Sequence, residues 1–166
     1  MTSHELAQVN IARLKFPLDS PELKYFVDNL DPVNAAAEAS DGFVWRLKDE
    51  PTDATDATDA ADTVGDATGI RIFDDEWLIV NMSVWQGVDA LKDFMYRGTH
   101  RELLTRRHEW FERVAEAMTT LWWVPSGHRP TVAEAEERLT RLRTEGPTPE
   151  AFTLSRLFPA PEEEGA

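Results

Sequence analysis

Apolar and polar positions alternate from the start of the chain. Over residues 5–13, Ala7, Val9 and Ile11 fall on one side of an extended backbone, with Leu6, Gln8, Asn10 and Ala12 on the other. This predicts a β-strand with one apolar and one mixed face. Ser20-Pro21 supplies a cap-then-proline start, and Leu23, Phe26, Val27 and Leu30 recur at helical spacing. Asp31-Pro32 repeats that start signal, so the helix is expected to kink or restart there and end near Ser40. A second strand is predicted over 43–47. A third, over 76–85, has two unlike faces: Leu78, Val80, Met82 and Val84 form a wholly apolar row, while Trp77, Ile79, Asn81, Ser83 and Trp85 form a mixed one.

Helical spacing resumes at Val88, Leu91 and Phe94, breaks at Gly98 and restarts at Thr99. The next apolar stripe is read through Leu103, Leu104, Trp110, Phe111 and Val114, with Glu102–Arg106 and Glu109–Arg113 as i,i+4 pairs on its wet side. Leu121, Trp122, Trp123 and Val124 make a short fourth strand, whose adjacent indoles point to opposite faces of the sheet. Thr131 and Glu134 form a capping box for a last helix with Val132, Ala135, Leu139 and Leu142 inward, stopped by Gly146-Pro147. Residues 151–158 are a candidate edge strand, and 159–166 an acidic, disordered tail. Residues 49–69, a tandem Asp-Ala-Thr repeat almost without bulky apolar groups, are expected to be a flexible acidic insertion in a single domain spanning 1–158.

Composition narrows the classes. The formal charge is −14, from 31 acidic against 17 basic side chains, which repels phosphate backbones and argues against nucleic acid as a partner. With no cysteine there is no disulfide, no iron–sulfur cluster and no thiol nucleophile. No apolar run approaches the length that crosses a bilayer, and the first residues carry no signal-like core, so no membrane partner and a cytoplasmic location are expected.

The core order of strand, helix, strand, strand, helix, strand predicts an α+β fold of the ferredoxin-like split βαβ kind, with an added C-terminal helix. Helices cover one face of such a sheet. The row from Leu78 to Val84 is too apolar for water, so a second copy of the chain is the expected cover, making a homodimer. At this point the sequence resembles the dimeric α/β-barrel superfamily and its antibiotic-biosynthesis monooxygenase branch. The residues that carry this are NMSVWQGVDALKDFMYRGTH, from Asn81 to His100. The stretches LAQVNIARLKFPLDSP, YRGTHRELLTRRHEWF and LWWVPSGHRPT are similar to a prokaryotic family of unassigned function.

That resemblance implies a small-molecule oxidoreductase working without a cofactor on an electron-rich aromatic or enolisable substrate. Asn81 and Trp85 match the branch's catalytic pair, with Ser83 between them on the same strand face, and Tyr96 is the nearest match to its aromatic hydroxyl. An inward amide there can donate to a developing oxyanion. The same Trp85 and Asn81 also read as a core indole and a satisfied amide. His100 is placed on the inward side of its helix as a base or an iron ligand, or else as a helix-start histidine bonded to backbone. Arg107, read on the same stripe, faces the core and needs an anion, either from the fold or from a ligand. Trp110 on that stripe and Trp123 on the helix side complete the candidate substrate contacts. A haem-degrading branch is a further resemblance, in which Asn10, Trp85 and His100 fill the roles of strand amide, indole and iron ligand, with Arg97, Arg101 and Arg107 near the propionates. No dedicated metal site is expected, since His100 and His108 lie two helical turns apart without a completing carboxylate. The function classes left open are a monooxygenase-like enzyme, a non-catalytic dimeric ligand-binding or structural protein, and a haem binder.

Overall fold

The computed structural model describes residues 4–47, 70–96 and 98–161. The expected acidic insertion over 49–69, Arg97 and the last five residues of the tail lie outside them. Four strands form along the predicted stretches: β1 (His4–Arg13), β2 (Phe43–Arg46), β3 (Leu78–Trp85) and β4 (Thr119–Pro125). They make one antiparallel sheet in the order β2-β3-β1-β4. Between β1 and β2 the chain runs through a single 3-10 turn at Pro21–Leu23, then α1 (Lys24–Asp28) and α2 (Leu30–Glu38). The break falls at Asn29, two residues before the expected Asp31-Pro32. Between β3 and β4 come α3 (Val88–Met95) and α4 (Gly98–Arg106); α5 (Val132–Glu145) follows β4. The protein is therefore α+β.

Register decides what each face holds. Opposite pairs on β1 and β3 are Leu6 with Trp85, Gln8 with Ser83 and Asn10 with Asn81, all on the mixed face. On the other face Ala7, Val9 and Ile11 oppose Val84, Met82 and Val80. The apolar row from Leu78 to Val84 is buried within the chain itself, packed with Trp122, Val124, Ala135 and Leu139. The row expected to meet a second copy is thus packed within the chain, with Ile72 of the segment before β3 and with Ala135 and Leu139 of α5, which lies against β4. Thr131 Oγ1 accepts the Glu134 backbone N–H at 3.1 Å, as a capping residue should. The Glu134 carboxylate, though, turns to the Trp122 indole N–H at 2.8 Å and to His128 Nε2 at 2.7 Å.

On the mixed face Leu6, Trp85, Leu91, Leu121 and Phe152 form a second cluster, and Leu14, Leu23, Phe26, Val33, Leu103 and Trp110 a third beside it. Two expectations need correction here. Trp110 and Phe111 are not helical: α4 ends at Arg106, a 3-10 turn covers Arg107–Glu109, and Phe111 bridges to Leu14 of the extended segment after β1. The sequence period continued past the helix because Trp110, at the end of the 3-10 turn, and the half-buried Phe111 that follows it both pack against Phe26. Residues 151–158 do not add a regular strand either; Phe152 makes one reciprocal pair of backbone bonds with Leu121, both at 2.8 Å, on the outer edge of β4.

Candidate functional site

A shallow recess opens between the mixed face of the sheet and helices α2 and α3, with a cavity volume of about 30 Å³. Its floor is polar in the strands and apolar in the helices. Gln8 and Asn10 come from β1, Asn81, Ser83 and Trp85 from β3. Arg46 comes from β2 and Asn34 from α2. Leu91, Phe94 and Met95 of α3 close the opposite side.

Arg46 reaches this face through a break in the strand period. Phe43 opposes Trp85 but Trp45 opposes Val84, so one extra residue bulges between them and Arg46 comes to lie opposite Ser83. The Arg46 side chain is 5% exposed and its Nε donates to Glu38 Oε2 at 3.1 Å. Glycine at position 42 lets α3 approach the start of β2 closely. Its φ is +82°, and a Cβ there would stand 2.5 Å from the Ala90 Cβ of α3, so any side chain would hold the helix off the sheet.

A short chain of hydrogen bonds ties the floor together. The Gln8 amide nitrogen donates to Asn81 Oδ1 at 2.9 Å and to Ser83 Oγ at 2.8 Å, and the Trp85 indole N–H donates to the same Ser83 Oγ at 2.8 Å. Trp85 is fully buried, with Phe43 edge-on at 5.5 Å and Phe94 stacked at 5.3 Å. Its one polar atom is already used. By contrast, the Asn34 side chain sits in a residue only 7% exposed and has no hydrogen-bond partner among the described residues. The half-buried Asn10 has none either. Arg138 Nε is the sole fully sealed side-chain polar atom without a hydrogen-bond partner among the described residues, so the Asn34 amide reaches solvent.

The residues singled out from sequence scatter. Asn10, Asn81, Ser83 and Trp85 line the recess, Asn81 at its exposed mouth and Trp85 at its floor. His100 lies on α4, its side chain outside the described set. Tyr96 is 54% exposed at the end of α3 and is not part of the lining. Arg107 was expected to face the core; it is exposed, because the helix that would have turned it inward stops one residue earlier. Trp110 is buried in the cluster around Phe26, stacked on Tyr25 at 6.0 Å. Trp123 donates its indole N–H to the Phe158 carbonyl at 2.9 Å, away from the recess. Gln8, Asn34 and Arg46 are the lining residues that sequence reading passed over. Gln8 and Asn10 had a signal: they alternate on the mixed face of β1 as Asn81 and Ser83 do on β3.

A family described as a domain of unknown function, DUF3291, matches residues 5–166. The chain belongs to this family. Its match runs from β1 through the last described residue, so sheet and recess both lie inside it. No curated protein and no solved structure matches the chain. Within this DUF3291 domain no group of three or more His, Asp or Glu residues is placed to hold a metal ion, among the described residues. Nor is any helix long and apolar enough to cross a membrane, among the described residues.

Away from the recess, hydrogen-bonded charge pairs shift several side chains. The Trp77 backbone N–H and the Arg13 guanidinium hold Asp75 below the ordinary aspartate range, and Arg106 does the same for Glu109. A hydrogen bond to Glu102 raises the Tyr25 phenol. Among the described residues, Arg46 is the one ionisable side chain of the recess lining.

Proposed function

We propose that the chain binds a small organic molecule in the recess between the mixed sheet face and helices α2 and α3. The Asn34 carboxamide carries this reading. The amide atoms are not sealed, so water meets them in the free protein, and a polar molecule that displaces that water can take over its hydrogen bonds. An open amide at 7% exposure, beside a second open amide on Asn10, fits a site completed by a ligand. The sheet order, with two helical crossovers each skipping one strand, supports a ferredoxin-like reading of the fold. Dimerisation through the apolar sheet face is not part of the proposal, since the row from Leu78 to Val84 is already buried within the chain.

A thermal-shift screen of neutral, acidic and basic single-ring compounds tests it, with native mass spectrometry of the hits. Stabilisation that is lost on Asn34→Leu supports the reading; a screen in which no compound stabilises the wild type contradicts it.

An oxidoreductase of monooxygenase type, acting on an electron-rich aromatic or enolisable substrate, is a second reading. Asn81, Ser83 and Trp85 lining one recess is the observation that favours it. In that reading Asn81, at the mouth, donates its amide N–H to a developing oxyanion, while Trp85 shapes the floor because its N–H is held by Ser83. Oxygen uptake with recess ligands as substrates tests it. Uptake that falls on Asn81→Ala supports it, and ligands that bind without consuming oxygen argue for a binder.

A further inference from the structure

We infer that residues 147–158 are a strap that opens as a unit, and that the place its Phe152 ring leaves on the mixed sheet face admits the neutral aromatic ring of a ligand. The inference rests on the binding reading above and adds the way in, because the closed recess, at about 30 Å³, holds water but no ring.

The segment is folded on itself on both sides of Phe152. Thr148 and Ala151 exchange backbone bonds at 2.8 and 3.1 Å, and the Arg156 N–H returns to the Thr153 carbonyl at 3.1 Å. These turns survive if the segment swings away whole. Among the described residues, its hydrogen bonds to the rest of the chain fall at three points. Phe152 exchanges backbone bonds with Leu121, both at 2.8 Å, and its carbonyl also accepts the Thr120 hydroxyl at 3.1 Å. The Glu150 carbonyl accepts from Arg138 Nη1 at 2.8 Å, and the Phe158 carbonyl accepts the Trp123 indole N–H at 2.9 Å.

The root of the strap is free to turn. Gly146 ends α5 with φ +77°, and a Cβ there would meet nothing within 4 Å among the described residues, so space surrounds the hinge. Pro147 and Pro149 follow it and have no N–H to tie them down. Arg138, which holds the root at Glu150, keeps its Nε sealed without a hydrogen-bond partner, so the closed form leaves a donor unmet at this point.

What the strap covers gives the ligand class. Ala151 and Phe152 are fully buried, and the Phe152 ring stands edge-on to Phe158 at 5.8 Å. Phe152 shares one cluster with Leu6, Ala37, Trp85, Leu91 and Leu121. Ala37, Trp85 and Leu91 also line the recess, so the place that Phe152 leaves joins it. The added wall is Leu6 and Leu121, apolar and already shaped to a phenyl ring. A charged ring would lose hydration there without gaining a counter-charge.

Native-state hydrogen exchange of the full chain, followed by NMR with and without toluene, tests both halves. The Leu121 and Phe152 amides donate to each other's carbonyls, so opening frees them together. The expected result is one common opening equilibrium for the two, about a hundredfold more open than that of the amides of the central strand β1. Toluene at millimolar concentration binds the open form, so it should speed exchange of both amides about fivefold and leave β1 unchanged. Exchange of Leu121 and Phe152 at the rate of β1 overturns the strap and leaves the binding reading to the thermal-shift screen. Early opening that toluene does not change overturns the place for a ring.

Discussion

Gln8 of β1 and Ser83 of β3 stand directly opposite each other in register, and the Gln8 amide donates to the Ser83 hydroxyl over 2.8 Å. Both residues are buried, at 5% and 6% exposure. Ser83 also receives the indole N–H of Trp85, so one small hydroxyl satisfies two buried donors from two strands. Ser83→Ala removes about one oxygen's volume and strands both. The expected loss is about 2–4 kcal/mol, since each unmet buried donor costs about 1–3 kcal/mol. Urea denaturation measures it, and Ser83→Thr, which keeps the oxygen, should recover part of the loss.

Gly42 brings the start of β2 against α3. Gly42→Ala introduces a left-handed backbone penalty at φ +82° together with a 2.5 Å approach to Ala90 Cβ. Strain and overpacking together should cost about 2–5 kcal/mol. Repeating the substitution in an Ala90→Gly background removes the contact but not the backbone penalty, so it should cost only about 1–2 kcal/mol there. Equal costs in both backgrounds would show that the close approach plays no part.

The four strands were legible because alternation and short apolar runs are local properties, whereas the candidate edge strand over 151–158 formed only isolated bridges. Local signals also located the last helix, whose Thr131 cap is present as expected. What escaped was non-local. Nothing in the period of residues 132–142 says which sheet face they will join, so the Leu78 to Val84 row was assigned to a partner when Ile72, Ala135 and Leu139 of the same chain share its cluster. Arg46 escaped because a bulge reverses the strand's faces between Phe43 and Trp45. Asn34 escaped because a polar residue between Val33 and Ala37 reads as the wet edge of the stripe, and only the packing of α2 over the sheet turns it inward. Arg107 was misread for the opposite reason: the apolar spacing ran on after the helix had ended.

The Glu134 carboxylate accepts the N–H of the fully buried Trp122 and binds His128 on its other oxygen. Glu134→Ala should destabilise by about 1–3 kcal/mol, while Glu134→Gln retains an acceptor and should cost less. Arg107→Ala, at an exposed position, should stay within about 0.5 kcal/mol of wild type. Thermal unfolding of the three variants side by side checks the order; an Arg107 variant as damaging as Glu134→Ala would overturn the placement of that arginine.

Arg13 at the end of β1 reaches Asp75 before β3 at 2.7 Å, and Asp75 also accepts the Trp77 N–H at 2.9 Å. These bonds lower the Asp75 pKa below its ordinary value in the folded state. Its contribution to stability is therefore complete above the unfolded value of about 3.9 and is lost as pH falls through the folded one. Between about pH 5 and pH 2 the melting temperature of the wild type should fall more steeply than that of Asp75→Asn. Parallel acid profiles would show that the pair contributes nothing.

The central claim is that the recess over Gln8, Ser83 and Asn34 is a ligand site. Two-dimensional NMR of the side-chain amide groups, recorded while single-ring compounds are titrated into the protein, tests it most directly. The account predicts that the largest shifts fall on the Asn10 and Asn34 NH₂ resonances, saturate together, and disappear in Asn34→Leu. Shifts centred elsewhere, on the exposed face around Arg107 or on α5, or no shift with any compound, would contradict it.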